Sequence, residues 1–116
     1  MIKKIISILM LATFLLVVGC SSNNTGPGQY DTFAQCLTEK GVKMYGTEWC
    51  SHCKNQKAAF GNSFQFVDYV DCDKNKNECS LAGVEGYPTW KINGQKSTGV
   101  QPLESLAASA GCEYQG

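Results

Sequence analysis

At 116 residues the chain has material for one domain and little more. Ten lysines, without a single arginine or a basic stripe, balance ten carboxylates, so nucleic acid is not an expected partner. The seven cysteines dominate the composition, and they start open to three readings: metal ligands, structural staples or a redox pair.

Lys3 and Lys4 precede an apolar run over residues 5–18, broken only by Ser7 and Thr13. A membrane-spanning helix needs roughly 20 apolar residues, whereas the h-region of an export signal takes about 7–15. The run fits the second. It ends in Val17-Val18-Gly19-Cys20, which resembles the bacterial lipobox. Residues 1–19 are therefore expected to be a lipoprotein signal peptide, and Cys20 the lipidated N-terminus of the mature chain. The competing reading is an uncleaved anchor followed by an ordinary cysteine. Without the leader, eight lysines face ten carboxylates, a net charge of −2. Export also places the cysteines where disulfides persist and where small domains often need them. Residues 21–29 (SSNNTGPGQ) are polar and punctuated by Gly and Pro, so 20–29 reads as a lipidated, flexible tether. Nine such residues reach about 16 Å. The folded domain is expected over 30–116.

Residues 30–40 predict a helix, with Phe33, Cys36, Leu37 and Lys40 on one face, Asp31 as an early acid or cap, and Gly41 as the stop. A short strand follows over 42–46, then a helix from Cys50 to Phe60 ended by Gly61. Alternation predicts a second strand over 64–71, and 72–82 reads as a polar loop with a short helix. Residues 89–92 and 95–98 flank Asn93-Gly94, a strong hairpin signal. Pro102 opens a last helix that puts Leu103, Leu106, Ala107 and Ala110 on one face before Gly111. The order is that of an α/β domain with a central four-stranded mixed sheet, one half parallel and one half antiparallel, flanked by helices.

The stretch TEWCSHCK places Cys50 after a strand and at a helix start, where unpaired N–H groups and the positive dipole end favour a thiolate. A CxxC beside a βαβ pattern reads as thioredoxin-like and redox-active. Pro88, in Gly86-Tyr87-Pro88-Thr89, cannot donate to a sheet ladder yet leads straight into a strand. In a thioredoxin-like fold this is the place of a cis-proline loop facing the active site.

The run GVKMYGTEWCSHCKNQKAAFG, then YVDC, Cys79, GVEGYPTWKING and LAASAGC, resembles the thioredoxin-like domain fused to bacterial and plant vitamin K epoxide reductase homologues. The resemblance implies a protein dithiol-disulfide oxidoreductase without an organic cofactor. It also implies exported thiol or disulfide proteins as substrates and a quinone-linked membrane partner. With a lipid anchor in place of a membrane domain, that partner is expected to be a separate chain. The setting would be the cell envelope, the domain on the extracytoplasmic side.

Within this frame Cys50 is the nucleophile, exposed at the helix start, and Cys53 the resolving thiol. Trp49 and Tyr87 border the site and are expected to contact substrate. His52 resembles the histidine of the CPHC of periplasmic dithiol oxidases, whose thiolate pKa is near ~3.5 against about 7 in thioredoxin. It is expected to tune the pair toward oxidation, the competing reading being an incidental histidine. Met44 stands where thioredoxin itself has a buried acid. Glu48 is expected to be exposed, and Lys54 and Lys57 to be solvated. A structural zinc site would need four ligands, with Cys72 and Cys79 completing CxxC at a loose spacing, so no metal is expected. With Cys20 and CxxC set aside, three pairings remain. We expect Cys36–Cys112 to join the terminal helices and Cys72–Cys79 to close a polar loop, worth about 4.5 and 2.5 kcal/mol of chain entropy. The functional alternative is that Cys72–Cys79 relays electrons to CxxC.

Overall fold

A computed structural model describes residues 26–116. The signal peptide assigned to 1–19, Cys20 and the first part of the tether lie outside the described residues. The elements in chain order are α1 (Asp31–Glu39), β1 (Lys43–Gly46), α2 (Ser51–Phe60), β2 (Asp68–Asp71), α3 (Lys76–Leu81), β3 (Thr89–Ile92), β4 (Gln95–Thr98) and α4 (Leu103–Ala110). The sheet order is β2-β1-β3-β4, with β1 parallel to β2, antiparallel to β3, and β3 antiparallel to β4. This is the α/β thioredoxin fold, and its central strand β1 runs directly into the CxxC segment.

Alternation along β1 divides the core. Met44 points to the larger cluster with Phe33, Leu37, Phe60, Trp90 and Leu106, and Tyr45 to a smaller one with Val70, Cys72 and Cys79. The helices bury the faces their periodicity marks: Phe33, Ala34 and Leu37 in α1, Leu103, Leu106, Ala107 and Ala110 in α4. Gly111, at φ 72°, ends α4 in the left-handed conformation that glycine adopts without a Cβ penalty. At the hairpin Asn93 and Gly94 take φ 51° and 78°, the two positive angles that a tight two-residue turn requires.

Two expectations need correction. The strand predicted over 64–71 begins only at Asp68, because Gly61–Phe66 is a 3₁₀ helix. Its backbone turns so that Ser63 Oγ can accept from the Tyr30 amide (2.7 Å) and Thr38 Oγ1 can donate to the Phe66 carbonyl (2.6 Å). Phe64 meanwhile packs edge-on to Phe60 and Tyr69. The apolar spacing of Phe64 and Phe66 thus serves the core from a turn.

The tether also ends earlier than expected. Gly28 N donates to the Asp31 carboxylate at 3.0 Å, and Ser63 Oγ donates to the same group at 2.9 Å. Gln65 Nε2 donates to the Gly26 carbonyl. Gly28 lies so close to Ser63 that a Cβ there would overlap it, which is why glycine stands at that position. The segment from Gly26 is therefore held on the body. Among the described residues no helix is long and apolar enough to cross a membrane.

Candidate active site

The site forms where β1 gives way to α2. Cys50 is the N-cap of α2, in extended conformation, and its Sγ accepts a hydrogen bond from the Cys53 amide at 3.1 Å. A sulfur thereby does what a serine or aspartate oxygen does at other helix starts. Contrary to expectation, Cys50 is only 7% exposed. Cys53, one turn into the helix, is fully buried. Both thiols are free, while Cys36 is bonded to Cys112 and Cys72 to Cys79. Since Cys72 and Cys79 are bonded to each other, they are not free to join Cys50 and Cys53 in a zinc site.

Packing beneath Cys53 is tight. A Cβ on Gly46 would lie 2.8 Å from Cys53 Sγ and 3.3 Å from the Tyr69 ring, so this strand end admits the thiol only because it is glycine. Burial pushes the Cys53 thiol up to about 11, with the hydrogen bond to Cys50 adding to the effect. The Thr47 backbone and the Lys57 ammonium act in the opposite direction. Met44, at the place of thioredoxin's acid, is fully buried, and the buried polar side chains of the described residues (Thr47, Gln56, Ser63 and Thr89) are all uncharged.

Across from the dithiol, the Tyr87–Pro88 bond is cis. Thr89 Oγ1 donates to the Gly86 carbonyl at 2.6 Å, and the Pro88 carbonyl accepts from the Gly99 amide at 2.8 Å, fixing the loop. The Trp49 ring meets Tyr87 edge-on at 6.0 Å, which brings the Cys50 loop against the cis-proline loop. Trp49 remains 67% exposed, and its Nε1 donates to Asp73 at 2.8 Å. That hydrogen bond ties the active-site loop to the loop closed by Cys72–Cys79. His52 is exposed on the first turn of α2.

Several residues of the site escaped sequence reasoning. Lys57 is not solvated as expected. Its Nζ sits 4.0 Å above the centroid of the Tyr69 ring and 3.3 Å from Glu48, with the side chain only 24% exposed. The available signal was its spacing, four residues after Cys53 and so on the same helix face. Gln56 is buried and accepts from Trp90 Nε1 (3.0 Å) and from the Gln101 amide (2.7 Å), locking α2 to β3. Nothing in the sequence marks it apart from other helix glutamines.

A sheet of this topology, with a dithiol at the first turn of α2 and a cis-proline loop packed against it, defines the class of thiol-disulfide oxidoreductases. Residues 29–110 match the thioredoxin family, and the chain belongs to it. The chain is similar to the thiol-disulfide oxidoreductase LTO1 of Arabidopsis thaliana, 39% identical over 87 residues covering 67% of this chain and 23% of that protein. It is also similar to the protein disulfide isomerase-like 2-2 of Oryza sativa subsp. japonica, 39% identical over 57% of this chain and 21% of that protein. Protein disulfide-isomerase 1 of Dictyostelium discoideum is 33% identical over 82% of this chain and 30% of its own length. The chain thus spans less than a third of each of these relatives. Fold, dithiol and relatives together place the domain in the protein disulfide oxidoreductase class.

Proposed function

We propose that the protein is a membrane-tethered, extracytoplasmic oxidoreductase in which a thiol of an exported protein attacks Cys50 of the Cys50–Cys53 disulfide, Cys53 leaves, and a second substrate thiol resolves the mixed disulfide to release the substrate oxidised. It works in the oxidising direction and is reoxidised by a separate quinone-linked membrane protein of the vitamin K epoxide reductase type. The supporting observation is the environment of the dithiol. An exposed His52 stands at a helix start that favours a thiolate, and Met44 fills the place where a carboxylate would repel one. Stabilising the thiolate stabilises the reduced form, which makes the disulfide a stronger oxidant. The lipobox-like run ending at Cys20 supports the tether.

Equilibration with a glutathione buffer tests the direction. The expected potential lies above the value of about −270 mV for thioredoxin, and His52→Ala should make the disulfide less oxidising. A potential at or below that value sinks the oxidant reading. Mass spectrometry of the membrane fraction tests the anchor: an unmodified Cys20, or a retained leader, ends the lipoprotein claim. A second reading, an isomerase, is favoured by the names of several relatives and by their shared class. Recovery of activity from a scrambled, disulfide-bonded substrate would distinguish it from simple oxidation.

A further inference from the structure

We propose that Lys57, held by Glu48 over the Tyr69 ring, supplies a charge that helps the buried Cys53 act as a thiolate. The inference rests on Cys50 and Cys53 being the exchanging pair. Cys53 and Lys57 share one face of α2, four residues apart. Tyr69 closes the space between strand and helix, within contact distance of the point where a Gly46 Cβ would meet Cys53 Sγ, and Lys57 Nζ lies 4.0 Å above the same ring. A carboxylate (3.3 Å) and an aromatic face thus hold the ammonium over Tyr69, within range to act favourably on the Cys53 thiolate.

Among the described residues Lys57 is the one cation that acts on Cys53. On the loop, Glu48 is negative and 66% exposed. On β2, Tyr69 stays neutral, its hydroxyl pushed up by burial and by Glu48 and Asp71. The neighbouring positions of β1 and β3 are Met44, Gly46 and Trp90, none of them ionisable. His52 and Lys54 lie on the exposed side of α2. Cys50 faces Cys53 directly and raises it.

The step served is resolution of the mixed disulfide. Cys53 releases its proton to solvent, and its sulfur attacks Cys50 Sγ. The Cys50–substrate S–S bond breaks, and the substrate leaves as a thiolate that takes up a proton. In this step the Cys53 sulfur is formally oxidised by one electron and the substrate sulfur reduced by one, so that over both exchanges the dithiol gives up two. In reverse, when a substrate thiolate attacks Cys50 of the disulfide, Cys53 is the leaving thiolate. Lys57 assists both directions because the same charge develops on the same sulfur.

The test uses the protein preloaded at Cys50 with glutathione, and follows glutathione release against pH by stopped flow. Neutralising a half-buried ammonium beside a thiolate is expected to raise the apparent midpoint by about one unit in Lys57→Met, which retains the stem over Tyr69. The thiolate fraction at neutral pH then falls about tenfold, while nucleophilicity rises with basicity, so release should slow about threefold. Lys57→Arg should keep the wild-type midpoint. Should Lys57→Met fail to fold, Lys57→Gln removes the charge with a polar tip. Glu48→Gln, which leaves Lys57 unneutralised, should lower the midpoint. A midpoint unmoved by neutralising Lys57 in a protein with wild-type thermal unfolding overturns the proposal. So does one raised by Glu48→Gln. Cys53→Ser is the separate control: if it still releases glutathione intramolecularly, the assignment of the dithiol has failed, not the role of Lys57.

Discussion

Gln56 shows how one polar residue fixes the geometry behind the dithiol. It lies one turn beyond Cys53 and satisfies the Trp90 indole and both backbone groups of Gln101. Gln56→Ala would leave three polar groups without partners at about 1–3 kcal/mol each, partly relieved by water at Gln101. A loss of about 3 kcal/mol or more is expected in urea unfolding. Cys53 makes a prediction of the opposite kind, visible only in pH. Its thiol is raised in the folded reduced protein from 9.0 to about 11. A raised acid favours the native state while the group is protonated, so the contribution is full below about pH 9 and fades toward pH 11. The oxidised protein has no such thiol. The melting temperature of the reduced form should therefore fall relative to the oxidised form across that window, and parallel curves would refute the buried, neutral Cys53.

At the scale of elements, the site depends on how closely β1 approaches α2. Gly46 pairs with Asp71 in the parallel half of the sheet while its Cα faces Cys53 Sγ. Gly46→Ala forces either the thiol or the strand to move, and overpacking of this kind costs about 1–3 kcal/mol. The expected outcome is a destabilised protein with slowed disulfide exchange. Full activity at wild-type stability would show that α2 slides freely on the sheet. The second junction is between loops, where Trp49 bonds Asp73 and stacks edge-on to Tyr87. The same indole thus joins three chain segments that the sequence separates.

Across the whole molecule, Cys36–Cys112 connects α1 to the end of α4 over a separation of 76 residues. Tyr30 and Phe33, at the start of α1, pack against Tyr114, so the α1 start and the segment after α4 close over one corner of the core. Because the bridge spans nearly the whole domain, its main effect falls on the unfolded chain. Replacing both cysteines by alanine should cost about 4.5 kcal/mol in the chain-entropy model. Exchange at Cys50 should persist wherever the variant is folded. A loss of exchange with the fold intact would instead make this bridge part of the redox path.

Much of this protein could be read from local patterns. The hairpin at Asn93-Gly94, the apolar face of α4, the fold class and the placing of CxxC between strand and helix are each written within a few consecutive residues, because turn chemistry and helix periodicity act at short range. What needed the tertiary structure involves residues distant in sequence or hidden by ambiguity of period. Phe64 and Phe66 alternate like a strand, yet Ser63 and Thr38 bind their segment into a 3₁₀ turn. The burial of Cys50, the closure of Gly46 on Cys53 and the docking of the segment from Gly26 are likewise set by packing partners up to 39 residues away. The place of Lys57 is decided in the same way: its spacing put it on the Cys53 face, but only the fold brought Tyr69 and Glu48 there to hold its ammonium. Local chemistry chose the elements, and long-range packing chose which side chains surround the sulfur.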